Sequence, residues 1–251
     1  MTYKINIENT DKFFWHRYDT IYNDELSHLE NVEKIVEFGV FKGDSVRWLN
    51  RRYPDAKIYG ADILPVQVEW TENDRIEYHQ LDQDKISDIQ SFFEKTENSI
   101  DLIIEDGSHF PQHQKNCLVI GMDYLKAEGI YILEDLHTSH PHHAYYIQQG
   151  KTKNYISPLH LLLFIEHSMS NNIEIQNDKI QELTTNSLFN FEEIKNLIDC
   201  IKSIKIYRRS TLPKKCYNCN SSDYNYHNLK CKCGADIFAE ADSMTAILVK
   251  K

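Results

Sequence analysis

Two short apolar runs, Ile100–Ile104 and Ile130–Leu133, each end in a pair of acids, and about one helix length of chain lies between them. The pairs are Glu105–Asp106 and Glu134–Asp135. Gln112 to Lys126 carries apolar residues at helical spacing, and Gly129 follows as a stop. A strand, a crossover helix and a second strand form a right-handed unit with parallel strands. Both acid pairs then fall at the carboxyl edge of one sheet, where open α/β folds hold their ligands. Neighbouring strands lie about 5 Å apart, so Asp106, Glu134 and Asp135 are placed to share one small hard cation. His109 follows one tight turn beyond Asp106. Carboxylates this close repel unless a cation or protons neutralise them.

Upstream, Lys34 to Phe38 reads as the first strand and leads into GVFKGDS, then a helix from Asp44 or Ser45 to Arg52. Gly39 and Gly43 allow a tight turn and close backbone approach to a ligand, and the helix start offers unpaired N–H groups. Neither a phosphate loop nor the GxGxxG dinucleotide spacing is present, and Asp44 would repel a pyrophosphate, so a phosphate-free cofactor fits better. A second strand from Lys57 ends at Ala61–Asp62, an acid placed to accept both hydroxyls of a ribose. A loop over 63–74 with exposed Val68 and Trp70 and a third strand from Arg75 to His79 follow, and Asp82 and Gln83 then fall at the same end as Asp62, placed to meet an adenine or its ribose. Lys85 to Lys95 is a helix. These repeats predict a doubly wound, seven-stranded, mostly parallel sheet, with late strands at Ser203–Arg208 and Met244–Val249, the last antiparallel.

Residues 1–30 alternate polar and aromatic positions and are expected to form short helices, an aromatic cap on a domain spanning 31–251. The histidine-rich stretch after Asp135, beginning with His137, is a long loop at the carboxyl edge and a natural substrate wall. A zinc cluster among its histidines is disfavoured by Pro141 and the lack of an ordered element. Leu159 to His167 and Phe189 to Ile201 are helices, and 168–183 is polar and loose.

The formal charge of −10 disfavours a protein that reads nucleic-acid backbones, and the 41% hydrophobic content supports one sizeable domain. Without a leader pattern or a run of bilayer-crossing length, a cytoplasmic, membrane-free protein is expected. Cys117 and Cys200 stand alone as buried thiols. The other four cysteines form Cys216-x2-Cys219, eleven residues, then Cys231-x-Cys233-Gly234. That spacing suits a structural, tetrahedral Zn2+ site in an insertion over 212–236 that is too small to hold itself together apolarly, with His227 as a substitute ligand.

VEFGVFKGDS, GAD at Asp62, LDQD, IIEDGSH and YILEDLHTSH together resemble the Rossmann-like class I S-adenosylmethionine-dependent methyltransferases. More narrowly, they resemble the metal-dependent O-methyltransferases that modify sugar hydroxyls on macrolides and related glycosides. The opening residues Asp11, Lys12, His16, Tyr18 and Tyr22 resemble that family's first segment. The resemblance implies Mg2+ ligands at Asp106, Glu134 and Asp135 and a general base at His109. It implies cofactor contacts from Glu37, Gly39, Gly43, Ser45, Asp62, Asp82, Gln83 and Asp106, with substrate contacts from His16, Tyr18 and His137. It also implies a small sugar or glycoside substrate and a homo-oligomer. Asp44 stands where a second glycine is common, and the cysteine insertion lies outside the family pattern. A nucleotide-linked acceptor would draw on Lys12, Arg17, Tyr145 and Tyr146. The site motifs alone also admit a catechol-like acceptor. An RNA or protein methyltransferase and a non-enzymatic, zinc-stabilised scaffold are the remaining readings.

Overall fold

The apolar runs of the central strands are buried on both sides of one sheet, which is why they read as continuous rather than alternating. In the computed structural model, which describes residues 10–96, 99–150, 154–239 and 241–251, β1 (Lys34–Phe38) pairs in parallel with β2 (Lys57–Asp62) and β4 (Ile100–Glu105). β3 (Ile76–Gln80) extends the sheet beyond β2, and β5 (Leu125–Leu133) extends it beyond β4, both in parallel. The chain returns in β6 (Ile201–Arg208), forms the small hairpin β7 (Tyr224–Asn225) and β8 (Lys230–Cys231), and ends in β9 (Met244–Lys250). β9 runs antiparallel to both neighbours and completes the order β3-β2-β1-β4-β5-β9-β6. The seven-stranded sheet with one antiparallel strand matches expectation.

Alternate residues along each strand feed two cores. Val36, Ile103, Tyr131 and Leu133 face one side, which is covered by α4 (Ile86–Lys95), α5 (Pro111–Tyr124), α7 (Pro158–Ser170) and α9 (Phe191–Cys200). Ile35, Leu102, Ile104 and Ile132 face the other, against α3 (Asp44–Arg52) and the aromatic helices α1 (Asp11–Phe14) and α2 (Tyr18–Glu25). The expected N-terminal cap is therefore part of the second core, with Tyr22 wholly buried; its residues 1–9 lie outside the described residues.

Four local expectations need correction. Trp70 is buried rather than exposed, because its indole N–H donates to the Phe41 carbonyl at 2.8 Å and its ring packs 4.7 Å from Tyr78. Gly129 does not stop the crossover helix: α5 ends at Tyr124, and the glycine lies inside β5. The loose segment over 168–183 carries the end of α7 and a further helix, α8 (Asn177–Leu183), anchored by buried Ile180. The histidine-rich loop folds into a 3-10 turn at Leu136–Ser139 and α6 (Ala144–Gln149).

Candidate functional site

The ladder hydrogen bonds continue one residue past the strand ends and place the site. Gly39 N–H donates to Ala61 O at 2.8 Å, Asp106 N–H to Phe38 O at 2.9 Å, and Glu134 N–H to Glu105 O at 2.9 Å. Gly39, Asp62, Asp106 and Glu134 thereby line up along one edge at the point where strand order reverses between β1 and β4. Gly39 has φ +87°, and a Cβ there would stand 1.9 Å from the Asp106 carbonyl oxygen, so only glycine lets the two turns meet. Phe41, His109 and Asp135 also have positive φ, conformations that cost roughly 1–3 kcal/mol each and cluster at functional sites.

A cavity of ≈ 510 Å³ opens along this edge, lined by Gly39, Asp62, Asp82, Gln83, Asp106 and His109 among others. Asp62 braces the glycine turn, accepting from the Val40 and Phe41 amides at 2.8 and 2.9 Å. Gln83 spans between Glu105, to which it donates at 2.7 Å, and the Ser108 amide, from which it accepts at 2.8 Å. Ser45 faces an adjoining cavity of ≈ 360 Å³. Gly43 caps α3 at φ +73° behind it, and Glu37 is wholly buried below.

Ligand atoms of Asp106, His109 and Asp135 all lie within 4.8 Å of one another. Glu134 is turned away from this trio: its carboxylate accepts from Lys12 Nζ at 2.7 Å and from the Tyr22 hydroxyl. Lys12, buried itself, also pairs with Asp106 at 2.9 Å and Glu37 at 3.3 Å. Its ammonium is the internal counter-charge of the acid cluster, and the residue lines the cavity. Arg17 is held by the Leu212 carbonyl and Asp19, and Tyr145 stacks on Phe110 at 4.6 Å. The role of Lys12 escaped sequence reasoning, although a lysine among five aromatic residues in an opening helical segment was a usable sign.

Of the expected substrate contacts, His16 lines the cavity, 3.4 Å from Asp135 and 2.7 Å from the Ser243 hydroxyl. Tyr18 is buried beneath Asp135 and donates to it at 2.8 Å. His137 stands behind Asp135, 4.0 Å away. Burial works against the charge on every carboxylate here. It raises Asp106 and, more strongly, Glu134, despite the opposing Lys12. At Asp135 the imidazoles of His16, His109 and His137 outweigh burial and hold the carboxyl below its usual range. Burial lowers His137 to about 4. His109 is raised, because Asp135 and Asp106 overcome its burial, and its Nδ1 has no hydrogen-bond partner. Burial lifts Glu105, directly beneath, to about 7. Two hard carboxylate donors, an imidazole with an unpartnered nitrogen and a surplus of acids over one lysine suit a small divalent cation.

The four clustered cysteines also converge. Cys216 and Cys233 sulfurs are 3.7 Å apart, Cys219 and Cys231 sulfurs 3.5 Å, and all four lie within 4.8 Å of one another. These are far beyond a disulfide bond of about 2.05 Å and close to the roughly 3.8 Å edge of a tetrahedral Zn–S4 shell. His227 is not in this set.

No protein-family model matches the chain. It is 26% identical over 140 residues to the 8-demethyl-8-(2-methoxy-alpha-L-rhamnosyl)-tetracenomycin-C 3'-O-methyltransferase of Streptomyces olivaceus, covering 52% of this chain and 35% of that protein. It matches the mycinamicin VI 2''-O-methyltransferase of Micromonospora griseorubida at 26% identity, covering 52% of this chain and 34% of that one. Among solved structures, the MycE methyltransferase from the mycinamycin biosynthetic pathway, in complex with Mg, SAH and mycinamycin VI, superposes with TM-score 0.62 at 18% identity, covering 97% of this chain and 51% of that one. The curated matches therefore span about a third of those proteins, and the solved chain is about twice as long. The chain has the class I methyltransferase fold and is related to these glycoside O-methyltransferases.

Proposed function

We propose that this chain is an S-adenosylmethionine- and Mg2+-dependent O-methyltransferase acting on a hydroxyl of a sugar or glycoside. The observation that carries the reading is the convergence of Asp106, His109 and Asp135 on the cavity that the Gly39 turn opens. The sugar class is supported by the activities for which the two relatives are named. In this reading Asp106 and Asp135 hold the cation, with Glu134 beside them on Lys12, and Asp62, Asp82 and Gln83 hold the adenosine end of the donor. The four cysteines hold a structural Zn2+.

When bound, the sulfonium supplies an activated methyl group, and the cation supplies positive charge that lowers the pKa of an acceptor hydroxyl and offsets the carboxylates that raise His109. His109 takes the hydroxyl proton on its cavity-facing imidazole. His16 forms the acceptor wall. Lys12 holds Asp106 in place through their ion pair, and the glycine turn, held close against Asp106, would position the donor at the acid edge.

Transfer of labelled methyl groups to a panel of rhamnosides and other glycosides, with catechols as comparison, tests the reading. Asp106→Ala and Asp135→Asn are expected to lower kcat by about a hundredfold or more, and excess EDTA to stop turnover reversibly. Activity that survives EDTA and Asp106→Ala would overturn the metal-assisted mechanism, and transfer to catechols alone would overturn the sugar assignment.

A further inference from the structure

The cysteine insertion is more than a fold staple. Tyr217 lies between two of the converging thiols, in the Cys216-x2-Cys219 turn, and lines both cavities at the carboxyl edge. Lys215 and Asn220, at either end of the same turn, line the smaller cavity opposite Ser45 and Phe41. The turn is shaped by the Asn220 amide donating to Cys216 O at 2.9 Å and the Cys216 amide donating to Ser221 O at 2.8 Å. Behind it, Cys216, Cys231 and Ile237 make a three-residue core, with Trp15 packed on its side.

The insertion also grips the segment that delivers Lys12 and His16. Trp15 lies 6.3 Å from the Tyr217 ring. The Lys214 amide donates to Phe14 O at 2.7 Å, Lys215 sits over the Phe14 ring, and the Lys214 ammonium pairs with Asp19 at 2.9 Å. Arg209, buried and paired with Asp242 at 2.7 Å, donates to Trp15 O at 3.1 Å and to Ile237 O at 2.9 Å. Three buried residues, two of them cysteines, with Trp15, Leu212, Tyr224 and Ala235 half-buried against them, make a core too small to fix such a network by apolar burial alone.

We infer that a thiolate-preferring divalent metal, Zn2+, bound by Cys216, Cys219, Cys231 and Cys233 holds Tyr217 as a wall of the donor cavity and clamps residues 12–18 over the acid edge. The metal thereby sets donor affinity at a distance from the chemistry. Binding displaces the thiol protons and closes a four-sulfur shell with no open position, so the ion takes no part in methyl transfer. Tyr217 is a positioning residue for the donor. The inference rests on the proposed methyl-donor reading only for what fills the cavity.

The full-length protein is assayed for metal by mass spectrometry, expected at one zinc per chain. The zinc is then stripped with a membrane-permeable pyridyl chelator in excess Mg2+. Three readouts follow: hydrogen exchange of residues 11–25, affinity for S-adenosylhomocysteine by calorimetry, and recovery on adding Zn2+ alone. Stripping should speed exchange in 11–25 and weaken S-adenosylhomocysteine about tenfold each, with Zn2+ restoring both. Tyr217→Ala in the zinc-loaded protein should reproduce the affinity loss with zinc content and exchange unchanged, and Tyr217→Phe should retain affinity. A zinc-free chain with disulfides in place of thiols, or a stripped chain with unaltered exchange and affinity, would overturn the inference. If the loaded protein binds no S-adenosylhomocysteine while exchange still depends on zinc, the donor reading fails and the clamp stands.

Discussion

Lys12 is one cation among Glu37, Asp106 and Glu134, at 3.3, 2.9 and 2.7 Å. Removing one partner of a buried ion cluster leaves uncompensated charge and typically costs about 3–5 kcal/mol. Lys12→Met is therefore expected to lower stability by that order in urea unfolding with EDTA present, and by less in millimolar Mg2+, where a cation on Asp106 restores part of the lost charge. An unchanged midpoint would show that the ammonium does not compensate these acids. Gly39 is the matching backbone case. Gly39→Ala places a methyl group on the Asp106 carbonyl and holds alanine at φ +87°, so about 3 kcal/mol of stability and S-adenosylhomocysteine binding should both be lost. Thermal melting and calorimetry check the two. The glycine and the acids were legible in sequence, because turn chemistry and strand-end acids are local patterns. Glu134's partner was not, since a lysine on a four-residue helix 122 positions away leaves no local trace.

At the scale of elements, boundaries were read from propensity and burial, and the misses have physical causes. Gly129 read as a helix stop because glycine breaks helices, yet strand pairing of β4 with β5 took the residues around it. The segment over 168–183 read as loose because only Ile180 is buried in α8, too little to show a period. α7 begins with a capping box in which the Ser157 hydroxyl lies 2.8 Å from His160 Nδ1 and the Ser157 amide donates to that nitrogen. Burial lowers the pKa of His160 from 6.5. Between the two values the unfolded chain binds the extra proton and the folded chain does not, so stability falls as pH drops through that window and is fully present above 6.5. Glutamine at the same position keeps the cap and cannot titrate. His160→Gln should thus remove this contribution, so that the variant gains thermal stability relative to the parent chain as the pH is lowered from about 7 to 5. The absolute slope is shared with other groups, since burial also lowers His79 and His143 while the raised Glu105 and Glu134 act in the opposite sense. An identical slope in the variant would remove His160 from the acid response.

For the whole molecule, the doubly wound order and the shared acid edge followed from strand–helix alternation and handedness, which leave few topologies open. The convergence of Trp15, Arg209 and the cysteine turn did not, because it joins three segments by contacts that carry no sequence period. β9 has a consequence of its own. It follows β6 in the chain yet lies between β5 and β6 in the sheet, bonded to both. A chain stopped before Met244 should leave two strand edges open and elute as aggregate in size-exclusion chromatography; a monomeric product would show that β5 and β6 find another partner. During synthesis the same geometry makes the nascent polypeptide wait. Everything upstream emerges from the ribosome before the strand that joins β6 to the sheet, so chaperone demand should be set by the interval between translation of β6 and of β9.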